Sequence, residues 1–318
     1  MKLSHRMRPP SMLLLFGLSL ILIPDVYAHV KWFSNFSFLE PPLTISEILT
    51  PTYYVIAILS MLVIASMVFA DQQLDHIPLY KRVNTWLSDK QSYSVLVMRI
   101  AMAAVLLISW AADAVLTPEL LSTQNWLVWL QYIATLYLLT PQSTSFGGIT
   151  LLLIYIASVG EFGLFHMLDY LHYVGIGIYL AVSRAGEKRL RGLGLPALYA
   201  TIGFSLLWLG YEKLFYPSWA LYLLEQNPQL TLGFSPEFFL QGAAFVEMSL
   251  GYLLLIGLLE RPLAATITVV FFLTTMVFGK LEVIGHTPLH AALIVFLFSG
   301  PGSVYKAPIA IHNKLGWR

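Results

Sequence analysis

Glu237-Phe238-Phe239-Leu240-Gln241-Gly242-Ala243-Ala244-Phe245-Val246-Glu247-Met248-Ser249-Leu250-Gly251-Tyr252-Leu253-Leu254-Leu255-Ile256-Gly257-Leu258 is a largely apolar run that opens on Glu237 and carries a second carboxylate, Glu247, near its middle. A run of this length matches the ~20 residues that a helix needs to cross a hydrocarbon layer. A charge inside such a span costs roughly 2.5–3.5 kcal/mol on insertion scales, so Glu247 is expected to face protein or water. Ala243, Glu247 and Gly251 follow at four-residue steps, which puts the carboxylate on a stripe of small residues where a second helix can come close.

Working outward, similar runs lie near 51–70, 94–115, 126–140, 147–160, 163–183, 196–214, 262–279 and 288–299, making nine candidate spans. The 318 residues are 58% hydrophobic and 11% charged, against about 25% charged in soluble domains. The sequence therefore predicts an all-α, polytopic transmembrane helical bundle with the lipid bilayer as its solvent. A net charge of +1 and the absence of a clustered basic face argue against nucleic acid as a partner. With no cysteine, disulfide exchange and thiolate-held metal or iron–sulfur centres are excluded.

Residues 1–28 read as a signal peptide: Lys2, Arg6 and Arg8 flank the short apolar stretch Met12 to Ile23, Pro24 breaks it, and Val26-Tyr27-Ala28 resembles a cleavage site. The alternative is an uncleaved anchor. Cleavage leaves His29 at the mature terminus, followed by a periplasmic segment over 29–50. With that end outside, Lys81, Arg82, Lys90, Arg184, Lys188, Arg189, Arg191, Arg261, Lys306, Lys314 and Arg318 fall inside, against Lys31, Lys213 and Lys280 outside. This asymmetry predicts a plasma (inner) membrane protein of bacterial type, with a periplasmic amino terminus and a cytoplasmic tail at 306–318.

After the leading helix at 51–70, the spans divide into four-helix units over 94–183 and 196–305. Each unit opens with a helix ending in an acid, Trp110-Ala111-Ala112-Asp113 and Leu209-Gly210-Tyr211-Glu212, and each closes with histidines. A duplicated plan is the expectation, because repeats keep the placement of costly residues.

In the predicted orientation Asp113, Glu161, His166, Asp169, His172, Glu212, Lys213, Lys280, Glu282, His286 and His290 gather toward the outer side. That distribution points to a polar pocket opening to the periplasm, with Lys213, Glu247, Asp113 and Asp169 as candidate members. Gly203, Gly210 and Lys213 share a sector about 80° wide, so Lys213 either meets Glu247 across two close-packed faces or snorkels to headgroups. His166, Asp169 and His172 sweep an arc of about 120° on one helix, and His286 and His290 stand one turn apart on another. Such imidazoles can ligate copper, iron or zinc, relay protons for a quinone, or simply be hydrogen-bonded within a bundle. His29, as a terminal residue, offers its amine and ring nitrogen to copper. No His-Glu-x-x-His, nucleophile-turn, phosphate-loop or dinucleotide pattern is present.

The second unit resembles the DoxX/DoxD-like membrane family. The resemblance rests on Gly210-Tyr211-Glu212-Lys213-Leu214, on Glu247-Met248-Ser249-Leu250-Gly251 continuing through Gly257 to Arg261, and on Ser299-Gly300-Pro301-Gly302-Ser303. In the first unit Asp113 stands where a lysine would be expected, and no counterpart of Glu247 is evident. The resemblance implies a four-helix membrane bundle that serves as the quinone-facing subunit of an oxidoreductase or as the membrane partner of a soluble redox protein. Two functions are therefore expected: a redox subunit or anchor with a quinone or metal pocket, or a copper-handling or transport protein using His29. A structural anchor without a ligand is the third.

Overall fold

The computed structural model describes residues 40–74, 76–278 and 280–300. The signal peptide, His29 and the tail at 306–318 lie outside the described residues. The chain is helical throughout, with a single β-bridge, Ala114 to Leu121, among the described residues. The main helices are α1 (Pro51–Leu74), α2 (Pro78–Ser88), α3 (Ser94–Ala111), α4 (Asn125–Leu139), α5 (Thr144–Phe162), α6 (His172–Val182), α7 (Gly194–Phe215), α8 (Pro217–Gln226), α9 (Pro236–Ile256), α10 (Glu260–Phe278) and α11 (Lys280–Ser299).

Helix limits follow local chemistry. Pro51, Pro78, Pro217 and Pro236 sit at first helical positions, where the missing N–H costs nothing. The Ser235 hydroxyl accepts from Phe238 N to start α9, and Gly257 ends it at φ 65°, a left-handed cap that glycine adopts without strain. The sequence hides α2 and α8 inside expected loops, because neither is long enough to register as a span.

Each of the nine expected stretches contains helix among the described residues, although not every one is long enough to count as a span. Six segments, Pro51–Asp71, Gln91–Ala111, Thr144–Phe162, Lys188–Phe215, Pro236–Ile256 and Glu282–Ser299, are long and apolar enough to cross a membrane. This is a multi-pass membrane protein. His172–Val182 is apolar but shorter, and α4 has 15 residues. The expected span at 163–183 departs most from expectation. It begins as a single turn, Leu164–Met167, tightens into bonds from Asp169 N to His166 O and Tyr170 N to Met167 O, and becomes a regular α-helix only at His172. His166, Asp169 and His172 therefore do not share one continuous α-helical face.

The helices pack in a closed circuit: α3 on α4, α4 on α5, α5 on α6, α6 on α7, α7 on α9, α9 on α10, α10 on α11, and α11 back on α3. α1 packs outside the circuit against α9. One continuous apolar core runs through both halves, from Met98, Met102 and Leu106 to Leu254, Ala292 and Phe296. Tyr199 of α7 and Phe296 of α11 stack across it at 3.9 Å and 10°. Outward faces such as Leu153, Ile156 and Trp129 are exposed and apolar, as lipid contact requires.

Two buried arginines tie helix ends together. Arg99 Nε donates to Leu138 O at the end of α4, and Arg261 donates to Leu297 O, Phe298 O and Ser88 Oγ. These guanidinium groups satisfy carbonyls that a helix terminus leaves without an intrahelical donor.

Candidate functional site

The site starts from the contact between α7 and α9. A Cβ on Gly251 would fall 2.5 Å from Gly203 O, and one on Gly203 would fall 2.8 Å from Gly251 O. Only glycine at both positions lets the backbones touch. About two turns along, Gly210 faces the Ala244 carbonyl in the same way. This approach carries Lys213 Nζ to 2.7 Å from Glu247 Oε2. Of the two expectations for Lys213, the cross-helix pair is the one that forms. The neighbouring Glu212 turns away and is buried against Trp208, whose Nε1 donates to it at 3.1 Å.

The pair opens onto a cavity of about 310 Å³ between α6, α7, α9, α10 and α11. Most of its wall is apolar, with Ile202, Leu206, Val246, Leu250, Ile267 and Leu289 among the lining residues. Its polar groups are Lys213, Glu247, Asp169, Tyr170, His172, Ser205, Glu119, Glu282 and His286. His286 Nδ1 lies 3.0 Å from Glu282 Oε1, one helical turn before it, and Phe271 stacks on the imidazole at 4.7 Å. His172 is 5% exposed, with Nδ1 3.3 Å from the Asp169 carbonyl oxygen. Asp169 itself is buried.

Glu119 reaches this cavity from the loop between α3 and α4, and two side chains shape that loop. Fully buried Gln131 accepts from Leu116 N and donates to Leu106 O and Ala114 O. At the other end Glu161 accepts from Ser122 Oγ and Thr123 N. Leu116 takes the left-handed φ of 66°, and Tyr173 Oη donates to its carbonyl. Burial pushes the Glu119 carboxyl up to about 8, against a hydrogen bond from Thr117 that favours the ionised form; the charge of Glu282 adds to the rise. Burial thus favours the protonated form of Glu119.

Of the residues the sequence singled out, Lys213, Glu247, Asp169, His172 and His286 meet at this one cavity. Asp113 does not: it follows the end of α3 at φ 54°, exposed. His166 lines a separate cavity of about 360 Å³ with Phe162, Phe165, Tyr216 and Trp219. His290 packs edge-on against Phe271, 6.0 Å between centroids, and does not line the main cavity. Glu282, which the sequence grouped with the outer polar residues, joins the site, and so does Glu119, which the sequence did not single out. The four-residue step from Glu282 to His286 is a readable signal for one of them; Glu119 leaves none. Among the described residues no group of three or more His, Asp or Glu side chains is placed to hold a metal ion.

These features define a multi-pass helical membrane protein with an internal, mainly apolar cavity carrying paired ionisable groups. No family model, no curated protein and no solved structure matches the chain.

Proposed function

We propose that this chain is a quinone-binding membrane protein, acting as the membrane subunit or anchor of a redox system. The observation that carries the reading is the cavity itself: about 310 Å³, mostly apolar, with its imidazoles and carboxylates on the wall. That size is at the lower end of the roughly 300–1,000 Å³ of small-ligand sites, and a few polar groups in an apolar cleft suit a flat ring with two oxygens. A quinone supplies two-electron, two-proton chemistry when bound. The protein's part is to hold the ring between Leu206, Leu250 and Leu289 and to exchange protons through His286, Glu282, His172 and Glu119. A chain without cysteine has no thiolate cluster of its own, so an electron path runs through the quinone, a metal or a partner protein, and a soluble redox partner fits the role of membrane subunit.

The chain is placed in a bacterial-type plasma membrane with nine spans, a periplasmic amino terminus and the cavity opening outward; the distribution of Lys and Arg supports this. The helix circuit supports two related four-helix units. Its junctions, α6 on α7 and α11 on α3, each join the last helix of one unit to the first of the other. The DoxX-like motif residues fit the same picture, since Lys213 and Glu247 line the cavity and Gly210 and Gly251 set the α7–α9 contact that brings them together. An apolar cavity wall favours a quinone over a bare metal ion as the ligand.

A photoreactive quinone tests the reading. Crosslinks should map to segments 202–209, 243–250 and 286–289. Labelling confined to lipid-facing positions such as Leu153 and Ile156 would overturn it.

A further inference from the structure

The main cavity has a lateral side as well as an outward one. Ala243, Val246 and Leu250 line it from one face of α9, and Ile267, Val270 and Phe271 line it from one face of α10. Val246 is nevertheless 52% exposed and Val270 37% exposed. Side chains that border a cavity and the protein surface together mark an opening. Beside them on α10, Val269 and Leu273 are exposed apolar residues of the kind that lipid covers. α1 meets α9 on a neighbouring edge, where Tyr53 and Phe245 stand 5.1 Å apart, and among the described residues nothing lies within 4 Å of a Cβ built on Gly242, one turn before Val246.

The side of the cavity under α8 is packed differently. Ala220, Leu223 and Leu224 of α8 and Leu240 of α9 line it there, and all four are buried. α8 is also fixed at its first turn, where Ser218 Oγ and Trp219 Nε1 donate to Glu40 at 2.6 and 3.1 Å. The looser boundary is therefore the seam between α9 and α10.

Resting on the quinone-pocket reading above, we propose that the ligand is a lipid-dissolved quinone with a long apolar tail, which enters between α9 and α10 and leaves its tail in that seam. The lining of the seam is hydrocarbon, whereas the cavity's imidazoles, His172 and His286, stand on α6 and α11. Lipid chains are as apolar as these side chains, so the tail gains little hydrophobic energy by lying there. What the seam sets is direction: the ring lies inward and the far end of the tail reaches the bilayer.

Two photoreactive quinones test this on the full chain in phospholipid nanodiscs. One carries a diazirine on its ring and the other carries it at the end of a decyl tail. Each is used with and without an excess of unlabelled decylquinone. Ring label that the competitor removes should fall near Leu206, Leu250 and Leu289, and competable tail label on Val246, Val269, Val270 and Leu273. Val246→Trp with Val270→Trp, which crowds the opening at two exposed positions, should lose most of the competable tail label. Should that variant fail to fold, the map on the unaltered protein still decides. Ring label in the cavity with competable tail label on α8, with tail label that no competitor removes, or with undiminished tail label in the folded variant overturns the lateral route and leaves the quinone pocket standing. Competable label from neither probe overturns both.

Discussion

Lys213 Nζ on α7 stands 2.7 Å from Glu247 Oε2 on α9, with the two side chains 16% and 27% exposed. Neither charge is fully removed from water, yet each is the other's principal partner in a mostly apolar wall. Removing one strands its mate: Glu247→Gln or Lys213→Met alone should cost about 2 kcal/mol of stability. The double change should recover much of that, because no charge is left alone. Unfolding midpoints of the four proteins in one detergent provide the cycle; losses that simply add would mean that the two groups act independently.

The pair exists because Gly203 and Gly251 let two backbones touch. Gly251→Val puts atoms where the Gly203 carbonyl already is, 2.5 Å from a built Cβ. We expect a loss of about 1–3 kcal/mol from overpacking, visible as a lowered unfolding temperature. Gly242→Ala is the control: nothing lies within 4 Å of its Cβ, so its midpoint should stay near wild type. Equal loss at both positions would remove close packing as the cause.

How legible was this in the amino-acid order? The α7–α9 contact was, because small residues at helical spacing beside one carboxylate have few other readings. His172 and His286 were recognisable as candidates, since imidazoles in apolar helices are costly. Their separation from His166 was not, because it depends on tightened turns between Met167 and His172 that no periodicity announces. Glu119 was invisible for a related reason. Its loop is shaped by Gln131 and by left-handed backbone at Leu116, a non-glycine residue whose conformation is imposed by tertiary hydrogen bonds. Short helices such as α4 also blur the count of spans, since hydropathy reads length and helix packing does not require it.

Gln131 offers a direct test of that loop. Its side chain serves two carbonyls and one N–H in a fully buried place. Gln131→Leu leaves all three without their partner, which should cost about 3 kcal/mol or more. Hydrogen exchange should show residues 112–121 losing protection first. Protection unchanged there, with wild-type stability, would mean that the loop is held by other contacts.

Burial of Glu119 makes stability depend on pH in a defined direction. The unfolded chain loses this proton near 4.5, whereas the folded chain holds it to about 8. The folded state binds the extra proton in between, so its contribution to stability is full below about 4.5 and is lost as pH rises toward about 8. Glu119→Gln removes this dependence and leaves every other group in place. The wild-type minus variant difference in unfolding midpoint should therefore fall from about pH 5 to about pH 8 and then level. A difference that is flat with pH would contradict a protonated Glu119.

The central claim is that the cavity holds a quinone, and ligand occupancy measures it most directly. Membranes containing the full chain are solubilised, the protein is purified, and its bound small molecules are extracted and quantified; the emptied protein is then titrated with a short-tailed quinone. A parallel sample carries Ala243→Trp, which fills the cavity from α9 and leaves the identities of Lys213, Glu247 and the histidines unchanged. The expected result is saturable binding of about one quinone per chain in the wild type and little or none in the filled variant. No saturable binding, or the same occupancy in both proteins, would contradict a quinone site in this cavity.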